Sequence, residues 1–134
     1  MKVLFSGRFD EPHPGHWMTI LKLLMVFNDV VVVILDYPER TRTAKQVKRD
    51  FESMAVLSGE EVFSHLLVLI NTTHFAKLTR EEWDAYGCDV YAGGNIDVNN
   101  HMTDIGVPVY EQERSSDYSA RNYKATLLNK TNQC

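Results

Sequence analysis

The sequence predicts a doubly wound α/β fold, a parallel sheet with helices on both faces. Three observations predict it. Val30 to Leu35 is an unbroken apolar run rich in β-branched residues, the pattern of a parallel strand covered on both sides. Strand-like and helix-like segments alternate along the chain in the order β-α-β-α-β-α-β-β-α. Every polar turn of note follows a strand: Gly7 to His16, Asp36 to Lys45, Gly93 to Asp97 and Gln112 to Ser119. In such a fold those turns gather on one rim, at the carboxyl ends of the strands, where ligands bind.

Lys2 to Ser6 reads as the first strand. His16 to Phe27 reads as a helix with Trp17, Ile20, Leu21, Leu24 and Phe27 on one face, broken by Asn28-Asp29. Together with Val30 to Leu35 these make a right-handed βαβ unit. Asp36 to Ala44 is polar and contains Pro38, hence a loop. Lys45 to Leu57 has helical spacing at Val47, Phe51, Met54, Ala55 and Leu57 and ends at Ser58-Gly59. Leu66 to Ile70 is a third strand. Thr79 caps a helix, with Glu82 completing a capping box. Cys88 to Ala92 is a fourth strand, left through a Gly93-Gly94-Asn95 turn. Asn95 to Asp104 reads as polar and irregular, and Val107 to Tyr110 as a fifth strand. Ser119 caps a last helix through Leu128, so one domain is expected over residues 1–128, with a tail at 129–134.

The 134 residues suffice for one buried core without metals or disulfides. With 44% hydrophobic and 24% charged residues the chain reads as soluble and globular, and its net charge of -4 argues against non-specific nucleic-acid binding. Its tyrosines are spread over several elements rather than interleaved with basic residues, so no nucleic-acid stacking platform is expected. Cys88 and Cys134 have no metal-ligand spacing and read as reduced thiols. No apolar run is long enough to span a bilayer and no signal peptide is expected, so the expectation is a cytoplasmic protein without membrane partners.

The chemistry concentrates in G-R-F-D-E-P-H-P-G-H, Gly7 to His16, between the first strand and the first helix. Backbone N–H groups and the helix dipole favour anions at such a turn. His13 and His16, three apart across Pro14-Gly15, can both face the pocket. There two imidazole donors can follow charge developing on phosphoryl oxygens. Gly15 permits close backbone approach to a ligand. Asp10 either braces the turn or touches substrate. A second constellation is Arg114 to Arg121, R-S-S-D-Y-S-A-R, where arginine forks and Ser119 at a helix N-cap suit phosphate. A third is the basic stretch Arg40, Arg42, Lys45, Lys48 and Arg49, either a solvated face or a contributor to an anion site. A fourth is Gly93-Gly94-Asn95, a plain turn or a place where backbone and amide meet a base. His101 is expected to face solvent, and His65 and His74 to be structural or exposed.

The first segment resembles the H-x-G-H signature of the nucleotidyltransferase superfamily, in the cytidylyltransferase form G-x-F-D-x-x-H-x-G-H. Gly7, Phe9, Asp10, His13, Gly15 and His16 match. The second segment resembles the family's R-x-x-x-I-S-T-T, matched at Arg114 and Ser119, with Tyr118 for Ile and Ala120 and Arg121 for the threonines. The fourth resembles a strand ending in G-D-D, with both acidic residues absent here. The form is nearest to glycerol-3-phosphate cytidylyltransferases. The resemblance implies a Rossmann-like nucleotidyltransferase fold and CMP transfer from CTP to a small phosphorylated alcohol, with pyrophosphate released. Adenylyl transfer from ATP to a cofactor or sugar phosphate, or nucleotide binding without turnover, are the alternatives. It implies His13 and His16 as catalytic. It places Arg8, Phe9, Gly15, Gly94, Arg114, Ser119, Ala120 and Arg121 with them around the nucleotide. Asp10, Lys45 and Arg49 fall to the substrate. Mg²⁺ would arrive on the triphosphate, the loop before Lys45 would close only over bound ligands, and a homodimer would form through the region after the second helix.

Overall fold

A computed structural model describes residues 1–10, 14–36, 38 and 40–111. Its five strands are β1 (Lys2–Gly7), β2 (Asp29–Leu35), β3 (Leu66–Asn71), β4 (Val90–Ala92) and β5 (Val109–Tyr110). They form one sheet in the order β3-β2-β1-β4-β5, every pairing parallel. The order reverses at β1, so the switch point falls between the carboxyl ends of β1 and β4.

Two helices cover one face. α1 (Pro14–Val26) buries Ile20 and Leu23, and α2 (Ala44–Ser58) buries Ala44, Val47, Phe51 and Ala55. These pack with Phe27 against Val3, Phe5, Val30, Val32, Ile34, Val68, Val90 and Ala92. A short helix α3 (Glu60–His65) leads into β3. The opposite face is covered by a 3₁₀ turn at Phe75–Lys77, by α4 (Arg80–Tyr86) and by α5 (Ile96–Asp104). There Phe75, Leu78, Trp83, Val98 and Met102 meet Leu4, Val31, Val33, Leu35 and Tyr91. Strands buried on both faces need apolar side chains at successive positions, which accounts for the Val30–Leu35 run.

Several expectations change, the fifth strand among them, which is only Val109–Tyr110 rather than Val107–Tyr110. α1 begins at Pro14 rather than His16, because proline's fixed φ and missing N–H suit the first turn of a helix. Met54 and Leu57 do not join the core: they are 41% and 82% exposed, since α2 seats only the narrower Val47–Phe51–Ala55 stripe. Residues 96–104 are not irregular but helical. The Asn95 side chain accepts hydrogen bonds from the backbone N–H of Asp97 and Val98 and so starts α5. That helix is the crossover that makes β5 parallel to β4. Strand β4 is only Val90–Ala92, the chain at Cys88-Asp89 serving as its approach. The predicted Thr79–Glu82 capping box is present in full. The expected helix at Ser119–Leu128 lies outside the described residues.

Candidate functional site

β1, β2 and β4 are each followed by a helix, so the first turns of α1, α2 and α5 lie on the rim that holds the switch point. α1 and α2 carry no acidic residue in the first turn, whereas α5 carries Asp97. The helix dipoles of α1 and α2 therefore meet an approaching anion without an opposing carboxylate in the turn itself. Thr43 caps α2 in a reciprocal box with Gln46.

The segment leaving β1 makes its bend at Phe9, whose φ of 49° is the left-handed region a bulky side chain rarely occupies. Its ring turns inward. It meets Phe5 at 5.4 Å, Phe51 at 5.1 Å and the His16 imidazole at 4.9 Å, the last edge to face at 86°. A Cβ on Gly7 would stand 3.0 Å from that ring, so glycine there is what lets Phe9 fold under the strand end. Phe9 is thus a core residue whose backbone, not ring, borders the site. Gly15 is buried and His16 half-buried in the first turn of α1.

Asp10 faces two arginines. Its carboxylate stands 3.5 Å from Arg8 and 3.7 Å from Arg40. Its Oδ1 is buried and accepts no hydrogen bond from the described residues. Arg40, read from the sequence as one cation of a basic stretch, is the least exposed of that stretch, with only 6% of its side chain exposed. Its guanidinium donates to the carbonyls of Leu35 at 2.8 Å, Arg8 at 2.6 Å and Arg42 at 2.9 Å. Arg42 pairs with Asp50 at 2.6 Å. Lys45 and Arg49 are exposed on α2, one turn apart. Lys45, Arg40, Thr41, Gln46, Asp36 and Ile70 help line an open hollow of about 440 Å³. The hollow lies at the β2–β3 side of the rim, beside rather than at the switch point.

At β4 the glycines have different roles. A Cβ on Gly93 would lie 2.5 Å from the Tyr91 hydroxyl, so Gly93 answers to a neighbour within the fold. Tyr91 is fully buried and shares a 2.6 Å hydrogen bond with Ser6, a pair that joins the ends of β1 and β4. Gly94 is exposed. Asn99, on α5, donates to the Gly93 carbonyl and fixes the turn. Reading residues 95–104 as irregular hid Asn99. An isolated Arg in a basic run carries no signal that it will be buried, which hid Arg40. His101 is not solvent-facing; its Nε2 lies 2.7 Å from the Leu78 carbonyl. His65 pairs with Asp29, and His74 accepts from the Ala76 N–H.

The structure thus brings Arg8, Phe9, Asp10, Gly15 and His16 together, with Lys45 at the neighbouring hollow and Gly94 at the turn after β4. His13, Arg114, Ser119, Ala120 and Arg121 lie outside the described residues. Among the described residues no group of three or more His, Cys, Asp or Glu is placed to hold a metal ion. No helix among them is long and apolar enough to cross a membrane.

No protein-family profile and no curated protein matches this sequence. A solved structure does match: a bifunctional NMN adenylyltransferase/ADP ribose pyrophosphatase from Francisella tularensis, complexed with AMP and a Mn ion. The TM-score is 0.69 at 16% sequence identity, over 96% of this chain and 41% of that one. The chain therefore spans less than half the length of that protein. The fold, a Rossmann-like doubly wound parallel sheet, is shared with that structure.

Proposed function

We propose that this chain is a nucleotidyltransferase. It joins a nucleoside monophosphate from a triphosphate to a small phosphorylated acceptor and releases pyrophosphate. The observation that carries the reading is the placement of Gly7, Arg8, Phe9 and Asp10 after β1 and of Gly15 and His16 at the start of α1. β1 delivers Arg8 to Asp10 to the rim beside the switch point, with His16 in a first helical turn free of carboxylates. An acceptor phosphate oxygen attacks the α-phosphorus while the bond from that phosphorus to the bridging oxygen breaks, and pyrophosphate leaves with the electron pair. Such a transfer needs positioning and charge neutralisation more than covalent help. The His16 imidazole, with His13, supplies donors to the α-phosphoryl oxygens.

Arg114, Ser119, Ala120 and Arg121 are assigned to the β- and γ-phosphates, and Arg8, Gly15, Gly94 and the Phe9 backbone to the nucleotide. Lys45, Arg49 and Asp10 are assigned to the acceptor. The hollow beside Lys45 supports this, since it combines cations with the Thr41 hydroxyl and the Asp36 carboxylate, partners for a phosphorylated alcohol. Mg²⁺ enters as part of the triphosphate substrate, whose phosphate oxygens supply ligands to it.

CMP transfer from CTP is the preferred form, on the G-x-F-D-x-x-H-x-G-H pattern. Adenylyl transfer is the second reading, favoured by the AMP-bound adenylyltransferase whose fold this chain shares. The test is pyrophosphate release with CTP, ATP, GTP and UTP and a panel of phosphorylated alcohols. His16→Ala is expected to lower the rate on the order of 100-fold or more. A loss under about 10-fold counts against the assignment. A nucleotide-binding module without turnover would saturate with nucleotide and release no pyrophosphate.

A further inference from the structure

We propose that Arg40 is a positioning residue, and that the loop after β2 sets the orientation of His16 through Arg8 and Phe9. The proposal rests on the reading of His16 as catalytic and adds a residue that the sequence marks only as one cation of a basic stretch.

The contacts form a continuous chain. Arg40 Nη2 donates to the Arg8 carbonyl at 2.6 Å, the shortest of its three bonds. The next residue, Phe9, holds its φ of 49° against the usual preference for negative values. A backbone in that region is costly for a bulky residue and persists only where surroundings fix it. Arg40 fixes the peptide on one side; Phe5, Phe51 and His16 enclose the ring on the other. The ring then meets the imidazole at 4.9 Å. The tie is reciprocal, because Arg8 Nη2 donates to the Pro38 carbonyl at 3.3 Å. Two arginines, each reaching the other segment's backbone, cross between the turn after β1 and the loop after β2. Those contacts tie the loop after β2 to the turn after β1 at Pro38 and Arg40.

A buried guanidinium is a poor way to gain stability, since burying its charge offsets much of what the carboxylates return. Asp10 at 3.7 Å and Asp36 at 3.9 Å balance the charge without a direct hydrogen bond to Nε, which goes to Arg42. What a planar fork supplies here is geometry: fixed donor directions to carbonyls at the ends of β1 and β2.

The experiment uses the full chain with Arg40→Lys, Phe9→Leu and the double variant. Two readouts are followed: steady-state pyrophosphate release, and the His16 imidazole Cε1–H resonance, assigned by its loss in His16→Gln. Arg40→Lys keeps the charge but not the fork. It is expected to move the His16 resonance, leave that of His65 in place, and lower kcat by about 10- to 100-fold with little change in KM for nucleotide. Phe9→Leu should reproduce both effects, and the double variant should be no worse than the worse single one. An unmoved His16 resonance in folded Arg40→Lys, or losses that multiply in the double variant, would overturn the proposal. If Arg40→Lys does not fold, Asp10→Asn takes its place. It removes the charge beside Nε and must move the same resonance; no movement overturns the claim. The resonance needs no turnover. A wild-type protein that releases no pyrophosphate would therefore defeat the enzyme assignment and leave the positioning claim to the spectrum.

Discussion

Gly93 illustrates how a residue that resembles a ligand-binding feature answers to the core instead. With Tyr91 Oη 2.5 Å from where a Cβ would stand, and that oxygen held by Ser6 at 2.6 Å, the tyrosine cannot swing aside without losing a buried hydrogen bond. Gly93→Ala is therefore expected to destabilise the fold by about 1–3 kcal/mol, read as a lower urea midpoint. Cys88 offers a second residue-level test. Burial is the main cause that pushes its thiol up to about 11 from 9.0, with Asp89 adding to the rise and Lys2 opposing it. Because the unfolded thiol releases its proton first, its contribution to stability is complete below 9.0 and is lost as pH rises toward 11. In a Cys134→Ser background, the urea midpoint should fall more steeply between those pH values than in the same chain with Cys88→Ala. A thiol reagent near neutral pH should modify Cys88 only on unfolding.

The elements divide by whether their signals are local. The Thr79–Glu82 box, the glycine stop of α2 and the β-branched run of β2 were legible because each is written within a few neighbouring residues. α5 was not, because its polar surface and single asparagine cap resemble a loop; only Val98 and Met102, four apart, reach the core. The same locality limits the site. The Gly7–His16 segment declares itself in sequence, whereas the contact of Arg40 with Arg8 spans thirty-two residues and depends on β1 and β2 pairing side by side. Asn95 permits a test of the revised element. Its Oδ1 serves Asp97 and Val98 N–H, so Asn95→Ala should cost about 1 kcal/mol by loss of the cap, seen as a lower thermal midpoint. If Asn95 instead read the base, the substitution would change the order of preference among the four nucleotides and leave the midpoint in place.

At the scale of the whole molecule, alternation and turn placement carried the parallel sheet, but strand order was settled only by pairing, and with it the switch point between β1 and β4. That order matters electrostatically. The chain has a net charge of -4, yet Arg8, Lys45 and the α1 and α2 dipoles all lie toward one rim. A triphosphate should therefore be drawn by a local field that opposes the molecule's overall charge, and that attraction should be sensitive to salt. A ligand that binds only the folded state stabilises it by about 2.7 kcal/mol at a hundredfold excess over Kd, enough to raise the thermal midpoint of a domain this size by several degrees. With Mg²⁺ present, the donor triphosphate is expected to raise the midpoint more than its nucleoside does. The gap should narrow as the screening length falls from about 10 Å at 0.1 M salt to about 3 Å at 1 M. CTP giving the largest rise would support the cytidylyl form, and a clear preference for ATP would replace it with the adenylyl form. Equal rises for nucleoside and triphosphate at low salt would defeat the phosphate cradle itself, because then nothing on the rim would be engaging the charge.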